Sequence, residues 1–200
     1  MTVDVNVSRA DTGFLDDIEE IMEDTMVQMF ILQTRDEASL EAAVEAAAEH
    51  PAIFYVAPTE LCHATDANCV GVYAATPEAL EAHDLSKPLF VEERYLDAAM
   101  SALLEEGACR GIILDATRPH PELEHFFVAI GPGNVDAFDP ELLAALPMDR
   151  IVLQSGYPDY GFEQIFDTAK RISDVMFRPE QSIIANATRN ALSLLGFKKG

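Results

Sequence analysis

The fold turns on one stretch: Leu146-Pro147-Met148-Asp149-Arg150-Ile151-Val152-Leu153-Gln154-Ser155-Gly156-Tyr157-Pro158. Its centre, residues 151–153, is a short continuous apolar run bounded by charged, Gly and Pro residues. Such a run suits a strand covered on both faces, as in a parallel sheet. Upstream, Asp139-Pro140-Glu141 starts a helix with Pro in the first turn. Downstream, two helices are expected to close the chain, at about 162–175 and 179–195, with Gly196 as the stop after the second.

The same pattern extends back to the N-terminus. Strand-like runs occupy residues 3–7, 26–32, 53–56, 69–74, 89–91, 111–114 and 126–130. Phe14, Leu15, Ile18, Ile21 and Met22 recur at helical spacing within 13–24. An Ala/Glu-rich helix is expected over 36–50, closed by Pro51, another from Thr76-Pro77-Glu78, and a third over 95–106 that stops at Gly107. Strands alternating with helices imply right-handed βαβ units, and eight such units close a barrel. Two hundred residues over eight units give 200/8 = 25 per unit, so some helices must be short or missing. Residues 60–68 read as loop. The expected fold is α/β: a compact TIM (β/α)8-like barrel, one domain over 1–200. An open doubly wound sheet is the competing architecture.

Composition limits the partners. Thirteen Lys and Arg against 35 Asp and Glu give a net charge of −22. Such a surface repels phosphate, which disfavours nucleic acid and anionic membranes. Hydrophobic residues make up 49%, a globular composition. Cys62, Cys69 and Cys109 fit neither a C-x-x-C nor a zinc-knuckle spacing and are expected to be free thiols in a reducing compartment. The N-terminus has no basic region or long apolar run, and no stretch is apolar over about 18 residues. A cytoplasmic protein with no membrane segment is expected.

The stretch 146–158 resembles the last barrel strand of the TatD family of metal-dependent hydrolases, which reads roughly iPxdrlLlETDaP. Residues 183–196, Ile-Ile-Ala-Asn-Ala-Thr-Arg-Asn-Ala-Leu-Ser-Leu-Leu-Gly, look like that family's closing helix. With these anchors set, Val3-Asp4-Val5-Asn6-Val7-Ser8 stands where the family has D-x-H-x-H. Lys87-Pro88-Leu89-Phe90-Val91-Glu92-Glu93-Arg94 stands at P-v-x-I-H-x-R, and Gly111-Ile112-Ile113-Leu114-Asp115 at G-v-x-H-x-F. The resemblance implies an eight-stranded barrel with its site at the C-terminal strand ends.

The chain departs from the family at most metal-ligand positions. The two first-strand His positions hold Asn6 and Ser8. The fifth-strand His position holds Glu92. The sixth holds Leu114, or Asp115 if the alignment slips by one. The eighth-strand Asp position holds Gly156. Asp4 alone is kept. A two-metal hydrolase needs imidazoles and carboxylates to hold its ions and the bridging water. A family-type dimetal centre is therefore not expected, and neither is any other cofactor. Asp4, Glu92 and Asp115 could at most form a hard-cation set.

Further mouth candidates are His63, Glu93, Arg94, Asp115 and Arg118, each following a strand-like run. Glu92 and Glu93 could instead simply pair with Arg94 or Arg118 at a solvated rim. His63 has Asp66 nearby. His50 stands at a helix end, His83 in a polar stretch, and His120 and His125 in loops. Ser155 lacks a G-x-S-x-G setting and reads as a turn residue. Gly131-Pro132-Gly133-Asn134 reads as a plain turn. The aromatic segment 154–162 is a candidate partner surface.

These readings converge on a divergent TatD-like barrel that has lost metal hydrolysis and binds a protein partner or small ligand at its mouth. The alternatives are a phosphoester-type hydrolase with a rebuilt carboxylate-rich divalent-metal site, or an acidic scaffold protein steered to basic partners.

Overall fold

The computed structural model describes residues 1–8, 12–58, 61, 66–74, 87–96 and 110–197. It contains the expected barrel. Eight parallel strands run β1 Thr2–Val7, β2 Val27–Gln33, β3 Ile53–Pro58, β4 Cys69–Ala74, β5 Leu89–Glu92, β6 Gly111–Leu114, β7 Phe126–Ile130 and β8 Ile151–Leu153. Each pairs with its sequence neighbour, in the order β1 to β8. The seam between β8 and β1 closes just past the strand ends. Val7 bridges Tyr157, Ser8 N donates to Tyr157 O at 2.8 Å, and Gly156 N donates to Asn6 O at 3.2 Å.

The helices among the described residues are α1 Thr12–Asp16, α2 Ile18–Thr25, α3 Glu37–Glu49, α4 Pro140–Ala145, α5 Gln164–Met176 and α6 Glu180–Leu194. The single helix expected over 13–24 is broken at Asp17 into α1 and α2. Asp36 and Ser39 form a reciprocal cap on α3. Asp139 caps α4 by accepting from Glu141 N and Leu142 N, with Pro140 in the first turn. The two closing helices lie within a residue or two of the expected bounds. The shortness of the chain shows between β6 and β7, where residues 115–125 cross the barrel wall with no helix. Residues 93–96 are helical. The rest of the helix expected over 95–106, the one from Thr76, and Glu60, Cys62, His63, His83 and Cys109 lie outside the described residues. Cys69 is buried, and its Sγ donates to Gly71 O at 3.5 Å. No helix among the described residues is long and apolar enough to cross a membrane.

Two apolar layers follow from strand alternation. Val3, Val5, Ile31, Val56, Phe90 and Ile112 fill the barrel, while Val7, Phe30, Leu32, Val91, Ile113 and Leu153 face the helices. The end of α6 covers the start of the strands: Asn190 Nδ2 donates to Met148 O and Ile151 O, and Phe197 meets Phe54 edge-on at 5.0 Å. The C-terminal strand ends lie at the opposite end, the mouth of the barrel. Within the aromatic loop 154–162, Tyr157 and Phe162 turn inward while Tyr160 stays exposed. Tyr157 stacks on Phe162 at 4.7 Å, and both contact Phe14, because burying these rings against α1 and β2 removes more apolar area from water than exposing them.

Candidate functional site: the mouth of the barrel

Glu92 ends β5 on the inner face, two residues beyond Phe90 and in register with Leu114. It is 5% exposed. A buried carboxylate needs partners, and Glu92 has three. The Tyr73 hydroxyl donates to Oε1, Arg35 Nη2 lies 3.1 Å from the same oxygen, and Arg94 Nε lies 2.5 Å from Oε2. Arg35, just past β2, also stands over the Tyr73 ring at 5.8 Å. Burial, then the hydrogen bond to Glu92 and the charge of that carboxylate, raises the Tyr73 phenol above its ordinary value, so it remains a donor.

A polar chain crosses the mouth beside this clamp. Gln154 Nε2 donates to Asp115 Oδ1 at 2.6 Å, and Gln154 Oε1 accepts from Asn6 Nδ2 at 3.3 Å. Asp115 sits at φ 53°, turning the chain sharply out of β6. Burial raises its carboxyl, and the Gln154 hydrogen bond only partly offsets this. Gln33, last in β2, donates to Val5 O, while its Oε1 is buried with no hydrogen-bond partner among the described residues.

Glu93 serves the helix-free connection after β6. It accepts from Thr117 N at 2.9 Å, Thr117 Oγ1 at 2.6 Å and His120 Nε2 at 2.7 Å, with Arg118 Nε at 3.9 Å. Burial would raise its carboxyl, but the Thr117 and His120 bonds outweigh it and hold Glu93 below its ordinary value. His120 is fully buried between Glu93 and Glu122, so it braces the loop and does not face the mouth. Glu92, Glu93, Arg94, Asp115, Thr117 and Arg118 line a cavity of about 500 Å³.

Asp4 does not join this group. It registers with Phe30 of the outer layer, so it stands on the opposite face from Glu92. There it accepts from Ser155 Oγ at 2.5 Å, Ser155 N at 3.0 Å and Asn6 N at 3.1 Å. Burial pushes its carboxyl up to about 6, against the opposing pull of these bonds. Ser155, expected as a turn residue, therefore also ties β8 to β1. The sequence-expected set Asp4, Glu92 and Asp115 is not brought together. Among the described residues no group of three or more His, Cys, Asp or Glu is placed to hold a metal ion.

The other ligand-equivalent positions are filled differently. Leu114 is packed in the inner layer. Ser8 N bonds the seam. Gly156 holds φ 74°, a conformation an Asp there would adopt only with strain. Asn134 pins its turn by accepting from Gly131 N and donating to Ala116 O and Ala129 O, so that loop is a plain structural turn, as expected. Sequence reading missed Arg35, Tyr73 and Gln154. Arg35 and Gln154 each stand one or two residues past a strand end, the position from which a barrel side chain reaches the mouth.

No sequence-family model and no curated protein matches the chain. Solved structures do. A TatD homologue from Escherichia coli is similar with a TM-score of 0.78 and 13% identity, covering 96% of this chain and 97% of that one. A TatD-family hydrolase from Entamoeba histolytica is similar with a TM-score of 0.70 and 10% identity, covering 98% of each. An uncharacterized amidohydrolase from Saccharomyces cerevisiae gives 0.71 and 9%, covering 96% and 99%. At these identities the likeness is one of fold: the chain is built as TatD-type and amidohydrolase barrels are.

Proposed function

We propose that this barrel has left metal-dependent hydrolysis behind and acts as a binding or regulatory protein, taking its ligand at the C-terminal mouth. The observation that carries the reading is the state of Glu92. Its two oxygens are already engaged by two guanidiniums and a phenol. A divalent cation there would have to displace two positive charges fixed within hydrogen-bond distance. Gly156 and Leu114 offer no ligand atoms, Asp4 faces the outer layer, and Asn6 is bonded to Gln154. These residues do not fit a two-metal centre. The −22 charge disfavours nucleic acid as the ligand.

One observation favours the alternative of a rebuilt hydrolase: Glu92 and Asp115 line one cavity, and Asp115 has a raised carboxyl, as a general acid would. One experiment separates the readings. Purified protein is analysed for metal, then assayed for phosphodiester hydrolysis with added Mg²⁺, Mn²⁺ and Zn²⁺. Substoichiometric metal and no turnover above buffer are expected. Metal-dependent turnover that disappears in Glu92→Gln would establish the hydrolase instead.

A further inference from the structure

Three guanidiniums gather at one edge of the mouth in a chain with 13 basic residues against 35 acidic ones. The side chains of Arg35, Arg94 and Arg118 are 53%, 61% and 54% exposed. The carboxylates beside them are turned inward: Glu92 is 7% and Glu93 16% exposed. Glu92 engages one nitrogen of Arg35 and one of Arg94, whereas a guanidinium carries five N–H donors. Glu93 is held mainly by Thr117 and His120. Glu92 and Glu93 thus turn most of their charge into the fold, while Asp115, exposed and bonded to Gln154, is the further carboxylate that lines the cavity beside Arg94 and Arg118.

We propose that this arginine rim binds a small oxyanion, a carboxylate- or phosphate-bearing molecule, over the cavity that Arg94 and Arg118 line. The proposal rests on reading the mouth as a metal-independent binding site. Guanidinium forks match the planar, paired acceptors of carboxylate and phosphate, and such charge-assisted bonds are about twice as strong as neutral ones. A cavity of about 500 Å³ is large enough for a small organic acid. Size also sets the effect of the overall charge. At physiological salt, charges beyond about 8 Å are screened, so a small anion within the rim meets the arginines and the cavity's own carboxylates, while a long polyanion also meets the acidic surface around them.

The test uses the full chain, dialysed against EDTA, with inorganic phosphate and citrate as separate calorimetric probes at constant ionic strength. Saturable binding of at least one probe is expected once the EDTA, itself a polycarboxylate, has been dialysed out, and the probe that binds names the source of the oxyanion. Binding should weaken roughly tenfold or more in Arg35→Gln/Arg94→Gln and roughly threefold in Arg118→Gln. The Arg118 variant keeps the Thr117 and His120 bonds to Glu93, so it remains informative if the double variant fails to fold. Absence of binding for both probes, or equal binding in wild type and Arg118→Gln, overturns the rim and leaves the metal-free reading standing. Binding that requires added Mn²⁺ overturns both.

Discussion

Two buried carboxylates stand near the same end of the barrel and are held by opposite means. Glu92 lies inside the mouth between two guanidiniums and a phenol. Asp4 lies on the outer face at the seam, and its hydrogen-bond partners are a hydroxyl and two backbone N–H groups. Hydrogen bonds from neutral donors do not offset the burial of Asp4, and its carboxyl rises to about 6. Glu92 obtains from Arg35 and Arg94 the compensating charge that Asp4 lacks. The comparison separates a carboxylate that organises the site from one that joins the barrel ends.

The largest effect is expected where the comparison is broken at Glu92. Replacing both Arg35 and Arg94 with Ala leaves a buried carboxylate with Tyr73 alone. A loss of about 3 kcal/mol is expected, at the low end for a stranded buried charge because the arginines are half exposed. Urea denaturation at pH 7 measures it, and the loss should shrink in a background where Glu92→Gln has removed the charge.

Asp4 gives the next effect, and its sign is opposite to the usual carboxylate. The folded state holds this proton to about pH 6, against 3.8 as the ordinary value. The stability this group contributes is therefore full below about pH 4 and is lost as pH rises through about 6. The loss is on the order of 2–3 kcal/mol. Asp4→Asn should flatten that part of the stability–pH curve and cost little at pH 7, since the amide can still accept from Ser155 N and donate to Ser155 Oγ. A curve with the same slope in both proteins would refute the assignment.

The smallest effect sharpens the contrast with exposed pairs. Arg171 and Asp136 meet at 2.5 Å on the surface, with side chains 53% and 78% exposed. Arg171→Ala should change stability by less than about 0.5 kcal/mol, measured in the same urea series.

The barrel was legible because each strand is an apolar run ended by polar or turn residues, and because the caps at Asp36 and Asp139 sit where the sequence puts them. Glu92 was legible for the same reason, as the first polar residue after Leu89-Phe90-Val91. Its clamp was not: Arg35 is 57 positions away, and only barrel closure brings the two together. The facing of Asp4 was hidden by a register shift between Asp4 and Val7, because in a strand one extra residue exchanges the inner and outer faces. A motif alignment cannot register such a bulge. It places Asp4 and Asn6 on one face, while the strand sends Asp4 to the seam and Asn6 to Gln154.

If the guanidiniums of Arg35 and Arg94 occupy the place a cation would take, Glu92 holds no divalent metal. The most direct measurement is a calorimetric titration of EDTA-dialysed protein with Mn²⁺, in wild type and in Glu92→Gln. No saturable binding is expected in either protein. A stoichiometric Mn²⁺ site in wild type that is lost in Glu92→Gln would contradict it.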